Sequence, residues 1–176
     1  NKIKMLNIYL IGFMGSGKTT IGKNISKDLS LSFLDTDKEI EKRNCLSIND
    51  IFNKKGEAFF RQEEQKIVNK IITLENTIIS TGGGLPCFNS NINLLNKSGC
   101  TIYLKCDKKL LYSRLLADKK NRPLIKNFNH IELQEYINNL LTKREKYYKK
   151  SKHTIICKDL DTNTLLRQIN SLILTR

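Results

Sequence analysis

No two of the five cysteines (Cys45, Cys87, Cys100, Cys106, Cys157) stand at C-x-x-C spacing, and their number is odd. Neither a disulfide framework nor a zinc site is indicated, and reduced thiols in a cytoplasmic protein are the expectation. No apolar run reaches the ~18 to 20 residues that a membrane span needs. Met5 to Met14, behind Lys2 and Lys4, looks like the core of a signal peptide, but it lacks a cleavage site and runs into a glycine-rich loop. Acidic residues are scarce: 17 Asp and Glu against 31 Lys and Arg leave a formal charge of +14. Such a surplus suits nucleic acid, a membrane surface or a small polyanionic substrate. The basic residues are scattered, as in Lys54-Lys55, Lys119-Lys120 and Lys149-Lys150, with no arginine-rich tail or aromatic-interleaved patch. Nucleic acid and membrane are therefore not the expected partners. No internal repeat, low-complexity tract or linker interrupts the 176 residues, a length that fits one core, so one domain over 1–176 is expected.

What the chain does have is alternation. Short apolar runs at Leu6 to Ile11, Phe33 to Leu34, Thr77 to Ser80, Thr101 to Leu104 and Thr154 to Cys157 read as strands. Between them lie segments of helical period: Lys18 to Leu29, Glu57 to Leu74, Lys108 to Asp118, Ile131 to Tyr148 and Asp161 to Leu174. That order predicts an α/β fold, a parallel sheet wrapped by helices. Residues 118–130 form a basic stretch around Arg122-Pro123, where proline disfavours helix at the residue before it, and read as a mobile loop or lid.

Gly12-Phe13-Met14-Gly15-Ser16-Gly17-Lys18-Thr19 matches G-x-x-x-x-G-K-[ST] between a strand and a helix, the context that confirms a phosphate loop. Its glycines turn backbone N–H groups toward phosphate and the helix N-terminus adds partial positive charge. Lys18 reaches the β and γ phosphates of ATP, and Thr19 ligates Mg²⁺.

A phosphate loop does not identify the acceptor, so other residues must. Phe33-Leu34-Asp35-Thr36-Asp37 sets two carboxylates two apart at a strand end; in extended chain they project the same way, one toward metal and one toward acceptor. The alternative is that they only cap the next helix. Arg61 and Glu64, at i and i+3 of a helix, suit a substrate carboxylate gripped by an arginine whose fork the glutamate holds, or else a surface ion pair. Ser80-Thr81-Gly82-Gly83-Gly84 offers bare backbone for close approach of a ligand, or a plain loop. Arg122 and Arg144 are candidates to clamp the transferring phosphate and an acceptor anion, because phosphoryl transfer depends on positioning and charge neutralisation.

Together G-F-M-G-S-G-K-T, L-D-T-D, F-F-R-Q-E-E, S-T-G-G-G, N-R-P-L and K-R-E-K-Y-Y occur in the order and spacing of shikimate kinases, a resemblance that spans Leu6 to Tyr148. The resemblance implies a three-layer nucleoside monophosphate kinase-like fold: a five-stranded parallel sheet, a shikimate-binding region over about 35–64 and a lid over about 118–130. It implies Mg²⁺- and ATP-dependent phosphorylation of the 3-hydroxyl of shikimate by a monomer. The nucleotide would be held by Gly15, Ser16, Gly17, Lys18, Thr19 and Thr20, with Arg114 over adenine and Arg122 on the phosphates. Thr19 and Asp35 would serve the metal. Asp37 would hold the shikimate hydroxyls and, with Lys18 and Arg122, carry the chemistry. Arg61 and Arg144 would bind the shikimate carboxylate, and Gly82, Gly83 and Gly84 would close on the ring.

Two departures from the family pattern stand out. The segment Asp159 to Thr164 lacks the proline many relatives carry beside adenine, and no aspartate ends the Thr77 to Ser80 strand. The second leaves Asp35 as the carboxylate for the metal. The competing readings are another small-molecule kinase of this fold, such as a gluconate or nucleoside monophosphate kinase, and a nucleotide- or nucleic-acid-binding module.

Overall fold

The run Asn-Ile-Tyr-Leu-Ile has no polar alternation, because the strand it forms, β1 (Asn7–Ile11), is buried at every residue. In the computed structural model, which describes residues 7–157 and 162–174, β1 is the middle of a five-stranded parallel sheet. The other strands are β2 (Ser32–Asp35), β3 (Thr77–Ser80), β4 (Gly99–Cys106) and β5 (His153–Cys157), in the order β2-β3-β1-β4-β5. Parallel neighbours require crossovers. Helices α1 (Lys18–Asp28), α2 (Thr36–Asn44), α3 (Ile48–Ile71), α4 (Asn91–Ser98), α5 (Lys108–Ala117), α6 (His130–Tyr148) and α7 (Thr162–Leu174) provide them and cover the sheet.

From β1 the chain turns toward β2, and from β4 it turns the opposite way, toward β5. Ligands in open parallel sheets bind outside the carboxyl ends of strands at such a reversal. Register brings three strand ends level there, with Leu10 and Asp35 both opposite Ser80. At the other end Asn7 Nδ2 donates to the carbonyls of Ile71 and Leu74, at 3.1 and 2.6 Å, and ties the end of α3 to the sheet.

The expected strands and helices all occur, with shifted ends; Leu6 and Asp159 to Asp161 lie outside the described residues. Helices α2 and α4 are additions. Ile40 is the one buried apolar residue of α2, so no apolar period betrays the helix. Helix α3 begins at Ile48, earlier than the expected Glu57. Its first two turns are separated from the rest by Gly56, whose φ of 80° and ψ of 171° only glycine adopts readily. Residues 118–130 are not featureless loop: they form two 3-10 turns, Lys119–Asn121 and Pro123–Ile125. Ile125 is buried, and the Lys119 ammonium donates to the Phe128 carbonyl. Asn129 and Glu132 then close a capping box at the start of α6.

Candidate active site

Between β1 and α1 the chain makes its tight loop. Gly17 takes the N-cap position with φ of 91°, a left-handed conformation that glycine holds without strain. No side chain caps α1, so its first N–H groups are available to an anion. Lys18, 8% exposed, folds back over the loop and donates to the carbonyls of Gly12 and Phe13, both at 2.9 Å. Burial lowers its pKa to about 8, opposed by the carboxylates of Asp37 and Asp35.

Three oxygens gather beside this lysine. Thr19 Oγ1 donates to Asp35 Oδ2 at 2.7 Å and lies 3.3 Å from Ser80 Oγ. The other Asp35 oxygen caps α2 by accepting from the N–H groups of Asp37 and Lys38, at 3.1 and 3.3 Å, so the capping role is present beside the contact with Thr19. The reason expected for the pairing of Asp35 with Asp37 is corrected. Helix α2 starts at Thr36, so Asp37 sits in a helical turn and not in extended chain. The capping turn, rather than strand alternation, swings both carboxylates toward the phosphate loop. Ser80 joins this group although no motif assigns it a role there. Its position at the end of β3, where a metal-directed aspartate is missing, was the available signal.

Asp37 is half-buried and faces the glycine segment, where a side chain at Gly82 would collide with its carboxylate. Thr36 Oγ1 fixes this contact by accepting from the Gly82 N–H at 2.7 Å. Burial, reinforced by Asp35 and Glu64, pushes the Asp37 carboxyl up to about 7.

The arginines expected on a substrate carboxylate converge one turn of chain further on. A Cβ on Gly84 would stand 2.8 Å from Arg61 Nη1 and 3.4 Å from Arg144 Nη2, so both guanidinium groups press against this backbone. Tyr148 OH donates to the Gly83 carbonyl at 2.5 Å and docks α6, which carries Arg144, onto the segment. Arg61 is held on three sides. Its Nη1 donates to Glu64 at 2.6 Å, its Nε and Nη2 to Glu57 at 3.2 and 2.9 Å, and Phe88 lies 3.7 Å from its Cζ. Glu64, 2% exposed, makes this a buried pair and not a surface one. Glu57 and Phe88 were not anticipated.

Two clefts open from this region. One, of about 460 Å³, is lined by Gly15, Gly17, Lys18, Thr19, Thr20 and Arg114, with Leu165 of α7 closing one side. Arg114 Nη1 donates to the Gly15 carbonyl at 3.2 Å. The other, of about 330 Å³, is lined by Lys38, Glu41, Ser47, Asn49, Leu124, Ile125 and Arg144. Met14, Asp35, Asp37, Gly83 and Arg122 line both, so the clefts share a wall. Arg122 Nε lies 2.9 Å from Asp118 Oδ2 as an ion pair without hydrogen-bond alignment. Arg61 lines neither cleft; it meets Gly84 beside Arg144, which does line the second.

A phosphate loop at the carboxyl edge of a 2-3-1-4-5 parallel sheet, with a second cleft sharing its wall, defines a P-loop phosphotransferase of the nucleoside monophosphate kinase-like fold. Comparison with known proteins agrees. A profile of the family "Shikimate kinase" matches residues 14–174. A shikimate kinase from Azobacteroides pseudotrichonymphae is 46% identical over 94% of this chain and 98% of its own. Among solved structures, shikimate kinase from Bacteroides thetaiotaomicron superimposes with a TM-score of 0.91 at 32% identity, over 96% of this chain and 98% of that one. Shikimate kinase from Acinetobacter baumannii, solved in complex with shikimate, superimposes with a TM-score of 0.88 at 34% identity, over 97% and 94%. The chain belongs to the shikimate kinase family.

Proposed function

We propose that the protein transfers the γ-phosphoryl group of ATP to the 3-hydroxyl of shikimate, giving shikimate 3-phosphate for chorismate and aromatic amino acid synthesis. One observation carries this reading: Asp37 and Arg122 stand in the wall shared by two clefts, with the phosphate loop on one side and Arg144 on the other. ATP takes the larger cleft. Gly15, Ser16, Gly17, Thr19 and Thr20 offer backbone N–H groups to its phosphates, Lys18 exchanges the carbonyls of Gly12 and Phe13 for phosphate oxygens, and Arg114 flanks the base.

Shikimate takes the smaller cleft, its carboxylate between Arg144 and Arg61 and its ring against Gly82 to Gly84. Three of the five N–H groups of Arg61 are engaged by Glu57 and Glu64, which leaves two for the substrate. Asp37 orients the attacking hydroxyl, and a pKa of about 7 suits it to accept the proton near neutrality. Because the transition state is largely dissociative in most analyses, alignment matters more than base strength. Lys18 and Arg122 neutralise charge on the moving phosphoryl group.

Thr19 Oγ1 and the Asp35 carboxylate, 2.7 Å apart, are the hard oxygen donors that Mg²⁺ takes, so these residues fit that ion. When bound with ATP, Mg²⁺ neutralises charge on the β- and γ-phosphates. Residues 118–130 act as a lid that carries Arg122 over the phosphates and excludes water. A single domain working as a monomer is the reading that goes with the family resemblance. No helix among the described residues is long and apolar enough to cross a membrane. All five cysteines are free, which suits the cytoplasm.

The test is ADP release from ATP and Mg²⁺ with shikimate, gluconate, AMP or no acceptor, alongside Lys18→Ala. Shikimate-dependent release, absent from the variant, is the expected result. Release driven by gluconate or AMP would overturn the acceptor, and silence with every acceptor would favour a binding module.

A further inference from the structure

Strands β4 and β5 both end in a cysteine, and register sets Cys106 directly opposite Cys157. Both thiols are free and buried. Neighbouring strands lie about 4.8 Å apart, inside the roughly 4.4 to 6.8 Å Cα separation that a disulfide spans, and directly paired residues project to the same face. The pair lies under the phosphate loop. Cys106 Sγ donates to the Ser16 carbonyl at 3.8 Å and lies 3.9 Å from Arg114 Nη1, the nitrogen that also donates to Gly15.

We propose that Cys106 and Cys157 form a redox-responsive pair, oxidised by a hydroperoxide to a disulfide that weakens nucleotide binding. The consequence for ATP rests on the nucleotide-cleft reading above; the thiol chemistry does not. Cys106 sulfur attacks the peroxide, the O–O bond breaks, and with hydrogen peroxide one water leaves as Cys106 becomes a sulfenic acid. Cys157 sulfur attacks that sulfur and expels a second water, so two thiols and one peroxide become one disulfide and two waters.

The two thiols are not equivalent. The Cys157 thiol, then Arg114 and Lys18, hold Cys106 below the usual thiol range, whereas the hydrogen bond with Cys106 and burial push Cys157 up. Cys106 is therefore the attacking sulfur and Cys157 the resolving one. Arg114 lines the nucleotide cleft, and this is the side from which a small oxidant reaches Cys106. A disulfide has no S–H for the Ser16 carbonyl, so the loop loses a contact beneath the phosphates.

The full chain, treated with hydrogen peroxide, alkylated and digested, should yield a Cys106–Cys157 cross-linked peptide that dithiothreitol removes. Its Kd for ATP by equilibrium dialysis should rise about 2- to 10-fold, the loss of one hydrogen bond, and return on reduction. Cys157→Ser should bind ATP as the reduced protein does, lose the peroxide effect on Kd measured at low dose, and let dimedone trap the Cys106 sulfenic acid. Two outcomes overturn the proposal: both thiols alkylated intact or over-oxidised without a cross-link in the unsubstituted chain, or a cross-link that leaves the Kd unchanged. Neither readout needs turnover, so failure of the kinase reading would appear separately in the acceptor assay.

Discussion

Gly82 lies so close against Asp37 that any side chain at position 82 would displace the carboxylate. The backbone of Gly82 is not left-handed, so the constraint is space and not conformation. Gly82→Ala should therefore fold, because the colliding atom is the movable end of a side chain. Asp37 would then lose its position, and misplacement by about 1 Å costs on the order of 10²-fold in rate. Steady-state kinetics should show kcat reduced by about that factor with KM for ATP nearly unchanged.

Asp37→Asn should lower kcat by roughly 10²- to 10⁴-fold through lost orientation and lost basicity. Its stability should move the other way. In the nucleotide-free protein the pKa rises from 3.8 to about 7. The folded chain thus keeps a proton that the unfolded chain releases across that window, and stability falls as pH rises through it. Asparagine carries no such penalty. Thermal melts should place Asp37→Asn above the unsubstituted protein at about pH 8, with the gap closing near pH 4. Unchanged turnover in the folded variant would remove Asp37 from the mechanism.

Arg144→Ala and Arg61→Ala should each raise KM for shikimate by roughly 10- to 100-fold, the worth of charged hydrogen bonds, and leave KM for ATP within about twofold. The two differ in stability. Arg61 is the ion-pair partner of the buried Glu64, and stripping one partner from such a pair costs about 3 to 5 kcal/mol. Urea unfolding should report that loss for Arg61→Ala and a much smaller one for Arg144→Ala. Equal destabilisation, or a shift in ATP binding, would contradict the assignment.

Gly56→Ala tests backbone strain alone. Nothing lies within 4 Å of a Cβ placed there, yet φ is 80° and ψ 171°. A stability loss of about 1 to 3 kcal/mol is expected, seen as a lower urea midpoint with an unchanged slope. ATP affinity should not move.

The phosphate loop was legible because its chemistry is local: eight consecutive residues bend the chain and begin the helix. The strands were legible for a related reason. A strand covered on both faces is an unbroken apolar run, as in β1, β3 and β4, each almost wholly buried. Helix α2 was not, since a nine-residue helix with one buried apolar side chain has no period to detect. The α3 break was half-visible as Gly56, but one glycine does not announce that helix resumes directly after it.

Residue types and spacing by themselves determined a parallel α/β kinase and its list of candidate side chains, because apolar runs and glycine turns act over short stretches of chain. Which candidates meet was decided by tertiary structure. Arg61 and Arg144 are 83 positions apart in the numbering, yet both press on Gly84 because α6 docks through Tyr148 onto the loop after β3. Ser80 joins Thr19 and Asp35 only because parallel register levels the ends of β2 and β3, and register is a property of paired strands that no single segment contains.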